Sequence, residues 1–197
     1  MMLEITLVRH GETVSNSEGR YLGWTDVDLN EKGINQAKKV SSKLKNKKFD
    51  IIMSSPLKRA RHTAEIIRND NIIYDDDLKE INFGSWDNLS YKEIEKGYPE
   101  ECKSWGEDWK NFIFPDGEGV LQMYKRASNF IDKLKAEHKN GSILIVTHGG
   151  IIRSITAYLL NMGLEGYWHF AVDNGSITRI KITDDYTVLC AFNNLSL

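Results

Sequence analysis

Two stretches of this sequence close an apolar run with a histidine and a glycine. Ile5 to Val8 runs into Arg9-His10-Gly11-Glu12-Thr13, and Ile143 to Val146 runs into Thr147-His148-Gly149-Gly150. A buried strand that stops at such residues delivers reactive side chains to the edge of a sheet. If both strand ends meet, and Arg59 joins them, two permanent cations and a titratable one form a pocket for a dianion. Guanidinium forks match phosphate oxygens two at a time. A phosphate pocket that holds two imidazoles points to nucleophilic catalysis. One ring, neutral at the moment of attack, takes the phosphoryl group, and water or another acceptor discharges the phosphohistidine. The second ring, protonated, and the arginines Arg9 and Arg59 stabilise charge on the transferring oxygens. A carboxyl must protonate the leaving alkoxide and then activate water, and Glu80 is the best placed. Asn16 adds a neutral donor, while Gly11, Gly149 and Gly150 let backbone approach a ligand. His10, His148 and Glu80 also resemble a two-histidine, one-carboxylate metal set. The two arginines count against that reading, because they would repel the ion; no metal is expected.

The elements that must position these residues alternate between strand and helix. After the first strand, residues 11–30 are polar and glycine-rich and read as a long functional loop. Glu31 to Leu44 carries Ile34, Ala37, Val40 and Leu44 at helical spacing, with Asn30 as N-cap. Phe49 to Met53 is a short strand. Ser54-Ser55-Pro56 then reads as a serine cap with proline at the first helical position, opening a helix to about Arg68 that carries Arg59 near its start. Ile72 to Tyr74 is a further strand. Residues 84–119 loosen into scattered aromatics and breaks at Pro99 and Pro115, an inserted lobe with one or two short helices. Val120 to Glu137 is the clearest helix, followed by the Ile143 strand and a helix from about Gly150 to Leu160. Ile177 to Ile182 and Thr187 to Phe192 form a final hairpin. The fold class is therefore α/β: a three-layer sandwich, its mainly parallel sheet covered by helices on both faces, plus a small, mostly helical lobe. In such sheets ligands bind beyond the carboxyl ends of the strands.

At 197 residues the chain suits one domain, 1–197, with a substantial core. Twenty-six basic against 28 acidic side chains give a net charge of -2, which does not suggest nucleic acid or an anionic membrane as partner. Cys102 and Cys190 lack metal-ligand spacing and read as incidental thiols of a reduced, cytoplasmic protein. The first strand leaves no room for a signal peptide, and no apolar run approaches the roughly 18 residues of a membrane span. His62 reads as a solvent-facing or rim residue, His138 as a solvated helix end and His169 as a packing residue. Trp86, Trp105 and Trp109 fill the lobe or stack on a flat group of a substrate.

Five pieces in order resemble the histidine phosphatase superfamily, which includes phosphoglycerate mutases and many small-molecule phosphatases. They are Leu-Val-Arg-His-Gly-Glu-Thr at 7–13, Gly23-Trp24-Thr25-Asp26, Ser54-Ser55-Pro56-Leu57-Lys58-Arg59-Ala60, Glu80 within Leu-Lys-Glu-Ile-Asn-Phe-Gly, and Thr147-His148-Gly149-Gly150. The resemblance implies that His10 is the phosphorylated nucleophile and that Arg9, Arg59 and His148 complete the phosphate pocket. It makes Glu80 the proton donor, puts Asn16, Gly23 and Gly149 in contact with phosphate or substrate, and implies no cofactor. Within the superfamily the chain is most similar to the bacterial α-ribazole-5′-phosphate phosphatases of cobalamin synthesis. Tyr21 to Asp26, Glu80 to Asp87, Ser104-Trp105, Asp108-Trp109, Gly117 to Gly119, and Trp168-His169-Phe170 with Val172-Asp173 carry that likeness. Three prolines in all, and no Arg-Arg pair between 80 and 120, set it apart from the mutases. The expected partner is a small phosphomonoester. A broad sugar-phosphate phosphatase and a phosphoglycerate mutase stand as alternatives.

Overall fold

A computed structural model describes residues 2–195. Its strands are β1 (Met2–Arg9), β2 (Ile51–Ser54), β3 (Ile72–Tyr74), β4 (Asn140–Thr147), β5 (Ile177–Thr183) and β6 (Thr187–Asn194). They form one sheet in the order β3-β2-β4-β1-β5-β6. The first four in that order are parallel, and β5 and β6 add an antiparallel edge hairpin. The helices are α1 (Val14–Ser17), α2 (Glu31–Leu44), α3 (Lys58–Ile67), α4 (Tyr91–Gly97), α5 (Pro99–Glu107), α6 (Val120–Glu137) and α7 (Gly149–Leu159).

Strand side chains alternate between faces, and here both faces are apolar. Leu3, Ile5 and Leu7 of β1, with Ile143 and Ile145 of β4, join a cluster with Met123, Ala127 and Ile131 of α6 and Ile151 and Ile155 of α7. Val8, Leu144 and Val146 point the other way, onto Val40 and Leu44 of α2 and Ala60, Ala64 and Ile67 of α3. Near-continuous apolar runs in the sequence are the direct result of this double burial. Among the described residues no helix is long and apolar enough to cross a membrane.

The sheet register places the site. Arg9 of β1 pairs with Thr147 of β4, and Ser54 of β2 pairs with Val146. His10, Ser55 and His148 are therefore the next residues at three adjacent, parallel strand ends. The pairing continues one step further, with His10 N–H donating to Thr147 O at 2.9 Å and Ser55 N–H to Val146 O at 3.0 Å.

Two local readings are corrected. Ser55 does not cap a helix: α3 begins at Lys58, and its N-cap, Leu57, makes no side-chain cap bond. The Lys58 N–H is instead satisfied from the long loop, by Asp26 Oδ1 at 2.7 Å. That loop is also not wholly irregular, because Thr13 and Asn16 form a capping box around the single turn of α1. The lobe contains α4 and α5 as expected, and its Trp86 and Phe114 belong to the same apolar cluster as α6 and α7.

The loop leaving β1 lies directly on the first turn of α2. A Cβ on Gly33 would stand 2.1 Å from Glu12 O, and one on Gly11 would stand 2.3 Å from Gly33 O. Gly33→Ala should therefore destabilise the protein by about 1–3 kcal/mol, although alanine gains about 1 kcal/mol of helix propensity. Urea unfolding at pH 7 measures it, and a Gly33→Ala protein as stable as the wild type would show that this contact yields freely.

Candidate active site

His10 is 3% exposed and His148 is fully buried, and their ring centroids lie 5.0 Å apart at an interplanar angle of 60°. His10 Nδ1 sits 2.7 Å from the Gly11 carbonyl oxygen. A carbonyl only accepts, so Nδ1 carries the proton and the lone pair of the neutral ring is on Nε2. His148 Nε2 lies 2.8 Å from Ser55 Oγ, which also accepts from the Leu57 N–H at 3.3 Å. With one lone pair so used, the Ser55 hydroxyl can turn its proton to Nε2, the arrangement that leaves the His148 proton on Nδ1. Burial, reinforced by Arg59 and Arg9, holds the pKa of His10 well below its ordinary value. Burial followed by Arg59 and His10 does the same for His148. Both rings are therefore neutral near pH 7 in the free protein, whereas the sequence suggested a protonated second ring.

Arg59 is fully buried on α3 and has no acid within ion-pair reach among the described residues. Its guanidinium donates to Gly23 O (Nη2, 2.6 Å) and Thr25 O (Nη1, 3.1 Å). Burial lowers its pKa to about 10, so it stays a cation at neutral pH. Arg9 donates from Nη1 to Val172 O at 2.6 Å. Arg9 Nε, Arg59 Nε and His148 Nδ1 are buried without a protein partner among the described residues. Unspent nitrogens on two cations and an imidazole suit the oxygens of an anion better than a neutral group.

Glu80 arrives on an irregular segment pinned from three sides. Arg126 of α6 donates to the carbonyls of Asp77 and Lys79, each at 2.8 Å, and is itself paired with Glu118 at 2.6 Å. Thr147 Oγ1 donates to Leu78 O at 2.7 Å, and Trp24 Nε1 to Glu80 O at 2.8 Å. The Glu80 carboxylate accepts from Ile81 N–H at 3.0 Å and, through its other oxygen, from Gly150 N–H at the start of α7 at 3.1 Å. A Cβ on Gly150 would fall 2.3 Å from Glu80 Oε1, so this docking requires glycine.

A cavity of about 220 Å³ is lined by Arg9, Glu80, Gly149 and Gly150; His10, Arg59 and His148 are not among its lining residues. Its far side is aromatic, with Tyr21, Phe83, Trp105, Phe114 and Trp168. Arg9, Glu80 and Gly149 share the cavity, and His10 and His148 lie against each other within the field of Arg9 and Arg59. Gly23 does not line the cavity; its carbonyl holds Arg59, and a Cβ there would meet Ile81 O at 2.4 Å. Asn16 is half-buried nearby, its Oδ1 shared between Thr13 N–H and Asn174 Nδ2 at 3.2 Å each. Trp86 is core and Trp109 packs on Tyr167 and Trp168, leaving Trp105 as the one of those three that lines the cavity. His62 pairs with Asp28 at the surface, and His169 is exposed.

Three contributors escape sequence reasoning. Ser55, read as a cap, positions His148. Asp87 accepts from the N–H groups of Gly23 and Thr25, each at 2.7 Å. Arg153 lines the cavity, with its guanidinium over the rings of Trp168 (5.4 Å) and Tyr167 (5.6 Å). Only Arg153 had a signal: it lies one helical turn beyond Gly149, on the same face.

Paired buried imidazoles at the ends of parallel strands, with Arg9 of β1 and Arg59 of α3 beside them, are the defining arrangement here, and the chain belongs to the histidine phosphatase superfamily (branch 1), which it matches over residues 5–195. It is a phosphoric monoester hydrolase of that superfamily. It is similar to the adenosylcobalamin/alpha-ribazole phosphatase of Salmonella typhimurium, 34% identical over 98% of this chain and 96% of that one. Phosphoserine phosphatase 1 of Hydrogenobacter thermophilus is also 34% identical, over 98% of this chain and 92% of its own. The crystal structure of the alpha-ribazole phosphatase from Shigella flexneri superposes with a TM-score of 0.93 at 32% identity, covering 98% of each chain.

The depressed histidines tie stability to pH. Above about pH 6.5 both rings are neutral folded or unfolded, and they contribute no pH dependence. As pH falls below that value the unfolded chain takes up protons first. Each ring then removes about 1.4 kcal/mol of stability per pH unit, until its folded pKa is reached. Urea unfolding between pH 7 and 5 should show a steep decline in the wild type and a shallower one in the His10→Asn/His148→Asn double variant. Equal slopes would mean that the two rings are not held neutral.

Proposed function

We propose that the protein hydrolyses phosphomonoesters through a phosphohistidine on His10, with α-ribazole 5′-phosphate as its substrate. The observation that carries the mechanism is the His10 Nδ1–Gly11 O bond, which leaves Nε2 as a neutral nucleophile in the field of the buried Arg59 and the half-buried Arg9. Nε2 attacks phosphorus as the bond to the leaving oxygen breaks, and Glu80 gives that oxygen a proton. Glu80 then takes a proton from water, which attacks the phosphohistidine and releases phosphate and free His10. Arg9 and Arg59 neutralise the transferring oxygens, with Asn16 as an accessory donor. His148 offers its Nδ1 proton, and a bound dianion, opposite in sign to the arginines, favours full protonation of that ring. The aromatic far wall suits the flat base of α-ribazole, and relatives so named align along nearly the whole chain.

His10→Ala should abolish both turnover and acid-labile ³²P labelling, and excess chelator should leave wild-type activity unchanged. Full activity in the variant, or loss on chelation, would sink the mechanism.

A second substrate reading rests on Arg153, a cavity-lining cation with no acid within ion-pair reach among the described residues. It favours a phosphomonoester whose alcohol carries a carboxylate, such as phosphoserine. Steady-state kinetics on α-ribazole 5′-phosphate, phosphoserine and 3-phosphoglycerate separate the two. If α-ribazole 5′-phosphate is the substrate, it has the highest kcat/KM, and Arg153→Ala changes that value by less than about threefold. If a carboxylate is bound, the variant raises KM for phosphoserine by about tenfold or more, the worth of one charged hydrogen bond.

A further inference from the structure

Arg59 is a fully buried cation with no direct counter-ion among the described residues, and such a charge is costly unless every neighbour compensates it. Its compensation comes through a strap of backbone. Gly23 and Thr25 turn their carbonyls to the guanidinium, at 2.6 and 3.1 Å, and their N–H groups to the two carboxylate oxygens of Asp87, at 2.7 Å each. A carboxylate and a guanidinium thus hold one three-residue segment through alternate peptide groups, the carboxylate on those joining 22–23 and 24–25 and the guanidinium on those joining 23–24 and 25–26. The strap is fixed elsewhere as well. Gly23 lies so close to Ile81 O that no side chain fits, Trp24 Nε1 reaches Glu80 O, and Asp26 holds the first N–H of α3.

We propose that Asp87 is a positioning residue for phosphoryl transfer, setting the Arg59 guanidinium by clamping residues 23–25 against it. This rests on the reading that Arg59 contacts the phosphoryl group. Asp87 lies at the start of the lobe, immediately after the single 3₁₀ turn of Gly84–Trp86, so the lobe is tied to the phosphate pocket and not only to the leaving group. Without its carboxylate the N–H groups of Gly23 and Thr25 lose their acceptor, the strap relaxes, and Arg59 loses the carbonyls that aim it. A misplacement of the order of 1 Å at a charge-stabilising group costs about a hundredfold in rate.

The test uses the full chain, p-nitrophenyl phosphate as substrate and inorganic phosphate as competitive inhibitor. The variants are Asp87→Ala, Asp87→Asn, Asp87→Glu, Arg59→Ala and the Arg59→Ala/Asp87→Ala double, each checked by thermal melting. Asp87→Ala should lower kcat/KM by about 10- to 100-fold and weaken phosphate inhibition by about tenfold. Asp87→Glu, which keeps the charge, should recover part of both. On the Arg59→Ala background, removal of Asp87 should cost less than about twofold further, because its effect passes through the arginine. Should Asp87→Ala melt before assay, Asp87→Asn serves, since it keeps the shape and one acceptor oxygen but not the charge. An Asp87 effect equally large with and without Arg59, or unchanged phosphate inhibition in a slow Asp87 variant, overturns the proposal. An impaired Arg59→Ala beside a wild-type-like Asp87→Ala removes the proposal alone. A wild-type-like Arg59→Ala removes the phosphate-contact reading and the proposal with it.

Discussion

The site depends on one alignment: the parallel register that sets Arg9 of β1 against Thr147 of β4. The two strands are separated by 130 residues of chain, yet the pairing makes His10 and His148 neighbours without help from either side chain. A slip of one residue would turn Leu3, Ile5 and Leu7 from one helical layer to the other and bring Glu4 and Thr6 into the layer they leave. The apolar pattern that fixes the fold therefore also fixes the distance between the imidazoles. Packing and chemistry are specified by the same residues.

What is assembled at that spot resists burial. One buried guanidinium, one half-buried guanidinium and two buried imidazoles share this region, and among the described residues Arg59 has no direct ion pair. The rings stay neutral, so only the arginines carry charge, and backbone carbonyls of residues 23, 25 and 172 take up much of their donor capacity. The surplus is an unfilled set of inward-facing nitrogens. In the proposed reaction such a region is held ready for an anion by the rest of the fold.

Much of this could be read in the sequence, and the part that could not has a common cause. The strands and α2, α6 and α7 followed from side-chain periodicity, and the Asn30 cap from its position, because these signals are local. His10, His148 and Glu80 stood out because glycine and apolar runs framed them. Ser55 was misread because a serine before proline is locally a cap, whereas its partner His148 lies 93 residues away. Arg153 carried a faint signal, its place one helical turn beyond Gly149, whereas nothing local tells which backbone groups the Asp87 carboxylate will meet. Their importance is a matter of what the fold brings to them.

The hydrogen bond between His10 Nδ1 and the Gly11 carbonyl has a consequence for chemical identity. Histidine has two phosphorylated isomers, which differ in hydrolytic lifetime and are told apart by ³¹P resonance position or by isomer-selective antibodies. With Nδ1 committed to a carbonyl, a group transferred to this ring attaches at Nε2, and the other regioisomer is closed off by the backbone itself. One carbonyl oxygen, supplied by a residue with no side chain, thereby sets the regiochemistry of the proposed intermediate.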